Sequence, residues 1–193
     1  MITNHLKVTM FVAAIICAVI TVRAETGAGF HFGLAIPDDI DAGFCLGGHL
    51  DFLDAVPTIP GLGFETRLTM WFSDNDRYYG AVGTHLDSDY FTFQITGGPK
   101  YVFPVKRSPV LPYIALDMGL YVTNWSGEWY TLVDHTYVIY DDSDTEMDFG
   151  MMMAFGVEVP INKKFNGRLE FGFSADGIDA GYLLFGGTFA LGR

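Results

Sequence analysis

The chain has 193 residues, 50% of them hydrophobic, and sets 11 Lys and Arg against 23 Asp and Glu for a formal charge of −12. That balance argues against nucleic-acid binding, whose affinity comes from Lys and Arg on phosphates. Two cysteines, one of them in the N-terminal apolar run, exclude a disulfide scaffold.

The first element is an export signal over residues 1–24. Lys7 supplies a positive n-region, residues 10–20 an apolar core, and Val22-Arg23-Ala24 a small-residue cleavage site. The apolar run is short for a spanning helix, and bulky Ile15 and Ile16 ahead of Cys17 do not suit lipoprotein processing. Cleavage before Glu25 removes Lys7 and Arg23 but no acid. It leaves 169 residues as one domain, 25–193, with 9 basic and 23 acidic side chains and a formal charge of −14. No long apolar helix follows, so a membrane-spanning form has to be a closed sheet.

Eight period-2 runs follow in order, and period 2 is the signature of a strand with two unlike faces. GFHFGLAI sets Phe30, Phe32, Leu34 and Ile36 against His31, Gly33 and Ala35, and FCLGGHLDFL sets Phe44, Leu46, Leu50 and Phe52 against Cys45, His49 and Asp51. GFETRLTMWF opposes Phe64, Leu68, Met70 and Phe72 to Glu65, Arg67, Thr69 and Trp71. FTFQITGGPKYVFP opposes Phe91, Phe93 and Ile95 to Thr92, Gln94, Thr96 and Lys100. PYIALDMGLYVT carries Leu116 and Met118 opposite Asp117, and MDFGMMMAFGVEVP carries Phe149 and Phe155 opposite Asp148 and Glu158. GRLEFGFS sets Phe171 and Phe173 against Arg168 and Glu170, and GYLLFGGTFAL closes the series with a looser alternation.

One face of these runs is bulky and apolar. The other is rich in Gly, Ala, Ser and Thr with scattered charges of both signs, which suits the narrow inside of an eight-stranded barrel. A soluble sheet would instead carry dense solvated side chains outward. The expectation is an all-β, eight-stranded antiparallel up-and-down transmembrane β-barrel. A soluble lipocalin-like barrel that binds an apolar ligand inside is the alternative. Gly97-Gly98-Pro99 reads as a bulge or kink, because Pro removes a ladder donor. A hairpin turn there would give ten shorter strands instead.

The connections agree. With both termini periplasmic, the short basic connections PVKRSPVLP and INKKFNG are periplasmic. The acidic connections PDDIDAG, SDNDRYYGAVGTHLDSD, NWSGEWYTLVDHTYVIYDDSDTE and ADGIDA are extracellular loops. Short inner turns and long outer loops characterise outer-membrane barrels. WYTLV and TYVIY could extend the third outer loop as a hairpin.

GGPKYVFP followed by LPYIALDMGLYV resembles small outer-membrane barrel domains of the opacity-protein type, in which an aromatic-ended strand and a periplasmic turn lead into a Pro-Tyr-hydrophobic strand. The resemblance extends over about residues 28–193 as strand count and spacing. It implies an eight-stranded bacterial outer-membrane barrel used for adhesion, membrane integrity or small-solute passage, with no common catalytic residues. Such barrels usually end on an aromatic residue, whereas this chain ends Phe189-Ala190-Leu191-Gly192-Arg193.

Candidate sites follow from the faces. The charges expected inside are Asp51, Glu65, Arg67, Lys100, Asp117, Asp148, Glu158, Arg168 and Glu170, either as a salt-bridged plug or as the lining of a cation-preferring path. The residues expected at lipid are Phe30, Phe32, Phe91, Phe93, Ile95, Leu116, Met118, Phe149, Phe155, Phe171 and Phe173. Trp125 and Trp129, beside Asp141, Asp142 and Asp144, mark an outer loop that could take a surface ligand or a divalent cation. His31, His49 and Asp51 read as interior hydrogen-bonding groups before a metal site. His85 and Ser88, with Asp87 and Asp89, have too little enforced geometry for a serine hydrolase. The expectation is a non-enzymatic protein without a cofactor, in contact with outer-membrane lipid. A narrow channel for small or hydrophobic solutes is the second functional reading.

Overall fold

The computed structural model describes residues 25–38, 40–79, 84–133, 136–175 and 179–192; the signal assigned to residues 1–24 lies outside them. Eight strands run β1 (Glu25–Pro37), β2 (Gly43–Leu53), β3 (Leu62–Tyr79), β4 (Thr84–Val102), β5 (Leu111–Val133), β6 (Thr136–Asn162), β7 (Phe165–Ala175) and β8 (Ala180–Gly192). Each pairs antiparallel with its neighbours in chain order, and β8 returns to β1, so the sheet is a closed barrel. Eight strands, not ten, form the ring.

The alternation in β4 decides which face is inside. Thr92, Gln94, Thr96 and Lys100 are buried while Phe91 and Ile95 are exposed. Thr92 meets Thr123 on the neighbouring strand at 2.9 Å, and Gln94 Nε2 donates to the Tyr182 hydroxyl at 2.7 Å. The polar face therefore fills the interior and the bulky apolar face points out. This is the reverse of a soluble barrel, and it removes the lipocalin-like alternative.

Pro99 does not make the expected bulge. Gly97 still pairs with Met118 and Lys100 with Ala115, so the register is unchanged across Gly98 and Pro99, and Pro99 faces Phe64 on β3. Proline deletes a rung without inserting a residue. Its neighbour Gly98 is needed there for another reason. A Cβ on Gly98 would stand 1.9 Å from the Leu116 carbonyl oxygen, so the β5 backbone occupies the space of a side chain.

The strands are unequal. β1, β2, β7 and β8 have 13, 11, 11 and 13 residues, and β3 to β6 have 18, 19, 23 and 27. Pairing of β2 with β3 stops at Phe44 and Phe72, and pairing of β6 with β7 stops at Met151 and Ala175. Above that rim β3–β4 pairing continues to Tyr79 and Thr84, and β5–β6 pairing to Val133 and Thr136. Much of what reads as two long loops is thus a four-stranded sheet standing on one side of the barrel. Asp, Asn and Ser are poor strand formers alone, but a neighbouring strand that satisfies their backbone groups overrides that preference. Among the described residues, β6 above Met151 pairs on one side only and leaves an open edge.

Inside, the barrel has two zones. Cys45, Trp71, Met152, Tyr182 and Leu184 belong to an apolar cluster toward the rim. The half nearer the termini holds the charged groups.

Candidate functional site

Strands β2 to β7 send inward positions to one level of the lumen, and most of the charges meet there. Arg168 donates to Glu65 through both terminal nitrogens, at 2.6 and 3.1 Å, and to Glu170 Oε2 at 2.5 Å. Arg67 donates to Glu65 and engages both oxygens of Glu170, its Nη2 reaching Oε2 at 2.9 Å. Its Nε also stands 2.9 Å from Asp117, a charge contact without hydrogen-bond alignment. Lys100 Nζ binds Asp51 at 3.1 and 3.2 Å, Glu65 at 3.2 Å and Glu158 at 2.7 Å. Glu65, Lys100 and Asp117 are each 0% exposed. Bidentate guanidinium–carboxylate pairs are the strong form of such contacts, and burial makes every missing partner costly.

Tyr113 completes the network, and the sequence reading missed it. Its hydroxyl donates to Glu170 and accepts from Arg168 Nε, both at 2.5 Å. Lys100 Nζ lies 4.5 Å, and the Arg168 guanidinium carbon 4.7 Å, from its ring centre. The signal was present, because Tyr113 shares its phase on β5 with Ala115 and Asp117. Asp148 is not in the network. It lies opposite Tyr121 on β6, above the charged level, and is exposed.

The interior histidines are hydrogen-bonded to threonines. His31 Nε2 meets Thr69 Oγ1 at 3.0 Å and His49 Nε2 meets Thr188 Oγ1 at 2.8 Å, with the rings stacked at 6.0 Å. Among the described residues no group of three or more His, Cys, Asp and Glu is arranged to hold a metal ion.

His85 and Ser88 fall on opposite faces of β4. Ser88 is buried and donates to the Asn75 carbonyl, while His85 reaches the Asp76 carboxylate on the outer side. Strand alternation keeps the two apart, and no nucleophile–base pair forms.

The standing sheet carries its acids in register. Asp76 pairs with Asp87, Asp87 with Glu128, and Glu128 with Asp141, so four carboxylates form one row across four strands. Asp74 and Asp89 pair in the row below. Asp87, Asp89, Ser126, Glu128, Asp141 and Ser143 line an open cavity of about 510 Å³. Like charges directly opposite each other destabilise a sheet. Asp142 and Asp144 lie on the other face, opposite Gly127 and Trp125, and Trp129 lies opposite Tyr140. Trp125 and Trp129 are half-buried, and Asp141, Asp142 and Asp144 are exposed on a strand where the sequence suggested a loop.

Outside the barrel, Phe30, Phe32, Phe91, Ile95, Met118, Phe149, Phe155, Phe171 and Phe173 are exposed. Phe93 and Leu116 point the same way but are half-buried among neighbours. A closed up-and-down ring with a charged interior and an apolar exterior defines a β-barrel of the outer-membrane class. A family model described as "Outer membrane protein beta-barrel domain" matches residues 11–191, and the chain belongs to that family. It is an outer-membrane protein of a bacterium.

Solved structures agree on the fold. The chain is similar to the outer membrane protein OprG of Pseudomonas aeruginosa at 13% identity, covering 88% of this chain and 98% of that one, with a TM-score of 0.55. A major outer membrane protein of Thermus thermophilus gives 13% identity, 85% and 98% coverage and a TM-score of 0.54. Neisserial surface protein A gives 13%, 86% and 96%, and 0.50. No curated protein matches the chain.

Proposed function

We propose that this is a non-enzymatic outer-membrane barrel whose role is carried outside its lumen, by support of the membrane and by surface contacts of the acidic, aromatic sheet above it. The observation that supports this reading is the buried network of Arg67, Lys100 and Arg168 with Glu65, Glu170 and Asp51. It ties β2, β3, β4 and β7 together across the lumen at a level where its members are almost fully buried. Ions crossing there would have to break several charge-assisted hydrogen bonds at once.

The outward set of Phe30, Phe32, Phe91, Phe93, Ile95, Leu116, Met118, Phe149, Phe155, Phe171 and Phe173 is then the lipid-facing band. The sheet bearing Trp125, Trp129, Asp141, Asp142 and Asp144 is the part that meets a surface ligand or a divalent cation. Single-channel recording of the folded protein in planar bilayers tests this. A closed lumen gives no stable conductance. A steady cation-selective current would make the narrow channel the correct reading.

A further inference from the structure

The basic residues outside the lumen are concentrated at the opposite end of the molecule from the acids. Lys106 and Arg107 sit in the turn between β4 and β5, Lys163 and Lys164 in the turn between β6 and β7, and all four are exposed. The third turn at this end, between β2 and β3, carries Asp54 and no base. Among the described residues none of the four bases is in an ion pair.

Both turns are held in place. Phe103 N donates to the Pro112 carbonyl and Val110 N to Ser108 Oγ, and Arg107 adopts a left-handed φ of 66°. Lys164 N donates to Asn162 Oδ1, and the Lys164 carbonyl accepts from Ala190 N. Two strand spacings separate the turns around the rim, or about 10 Å. Each pair of bases adjoins exposed apolar side chains: Phe103 and Val105 on one side, Ile161 on the other. The charges thus begin where the apolar band ends, at the level of lipid headgroups. Short turns face the periplasm in these barrels, so the leaflet they meet is the inner one of the outer membrane.

We propose that Lys106, Arg107, Lys163 and Lys164 form one anion-binding rim that gathers anionic phospholipid headgroups against the β4–β7 side of the barrel. The occupant is a phospholipid because the bases adjoin the band that carries its acyl chains, and its charge complements an array without carboxylate partners. Basic residues at a membrane surface attract anionic lipid in this way, within the screening length of the solution. The inference rests on the outward face lying in lipid, which cold-SDS gel mobility of the folded protein checks separately.

The test is lipid selectivity at the protein boundary. The protein is folded into phosphatidylcholine vesicles, and the fraction of motionally restricted lipid is read by electron spin resonance for spin-labelled phosphatidylglycerol and phosphatidylcholine. Phosphatidylglycerol should associate about fivefold more strongly, as expected for one well-placed base per headgroup. The preference should fall with salt and vanish in a variant with Lys106→Gln, Arg107→Asn, Lys163→Gln and Lys164→Gln. Asn is chosen at 107 because it tolerates the left-handed backbone. Equal association of both lipids with the unaltered protein, or a preference the variant keeps, overturns the proposal. So does binding of isolated cell-wall sacculi that the four substitutions abolish in the absence of lipid selectivity.

Discussion

Arg168 on β7 grips Glu65 on β3 through two hydrogen bonds across the barrel, although 103 residues separate them. Glu65 is also held by Arg67 and Lys100, so three cations share one carboxylate. Glu65→Gln takes that shared acceptor from Arg67, Lys100 and Arg168 and sets a buried amide donor against their N–H groups. The expected loss is about 3–5 kcal/mol, the cost of breaking a buried pair. Urea unfolding of the protein in vesicles reads it directly.

The row from Asp76 through Asp87 and Glu128 to Asp141 predicts a substitution that helps. Asp87→Asn removes a charge flanked on both sides by carboxylates and should stabilise the standing sheet by about 0.2–1 kcal/mol. Amide exchange of the β4–β5 ladder above the rim should slow, and the gain should shrink as salt screens the row.

Ile95 lies on the outward face near the middle of the barrel wall. Ile95→Arg should cost about 2–4 kcal/mol in lipid, while the same change on a water-facing strand would cost little. Denaturant titration in vesicles decides, and a loss under about 0.5 kcal/mol would count against the lipid-facing assignment.

The upper hairpin should be dispensable for folding. Glu128 and Asp141 are register partners, so joining them through Asn-Gly in place of residues 129–140 makes a two-residue hairpin loop. The shortened protein should still run as a folded species in unheated SDS, because the ring below is unchanged. Surface binding should fall with the loss of Trp129 and Tyr140. Failure to fold would mean the extension is needed to build the barrel.

Tyr130 above the rim donates its phenolic hydrogen to Glu128, and that bond raises the phenol above its ordinary range. The bond exists only while the phenol keeps its proton. Its contribution is complete below the ordinary tyrosine value and disappears as pH rises through the elevated one. Glu128→Gln should bring the titration down, seen as an earlier ultraviolet transition for Tyr130 against a Tyr130→Phe reference.

The chain order of the barrel was legible because each strand needs only its own alternation to declare two faces. Phe91, Thr92, Phe93 and Gln94 contain that information locally, and so do Arg67 and Glu170. What stayed hidden depends on pairs of strands. That Arg67 meets Glu170 follows from where β3 and β7 sit around a closed ring, which neither segment encodes. The extension was hidden for a related reason: residues 84–90 look like turn formers until Asp74, Asp76 and Glu128 are placed beside them as ladder neighbours. Asp148 has the inward phase, yet height along the barrel, which phase does not report, puts it above the network. Pro99 shows the opposite error, since its chemistry reads as a break while its neighbours keep the register.

The open edge of β6 has a consequence for crowding. A membrane surface packed with copies of one barrel brings bare strand edges together at high local concentration, the condition under which sheets fuse into polymers. Here residues 141–148 of that edge carry five carboxylates. Two such edges approaching at strand spacing would stack acid on acid before any backbone bond formed. The exposed backbone of β6 is thus guarded by charge against the same strand of a neighbouring copy.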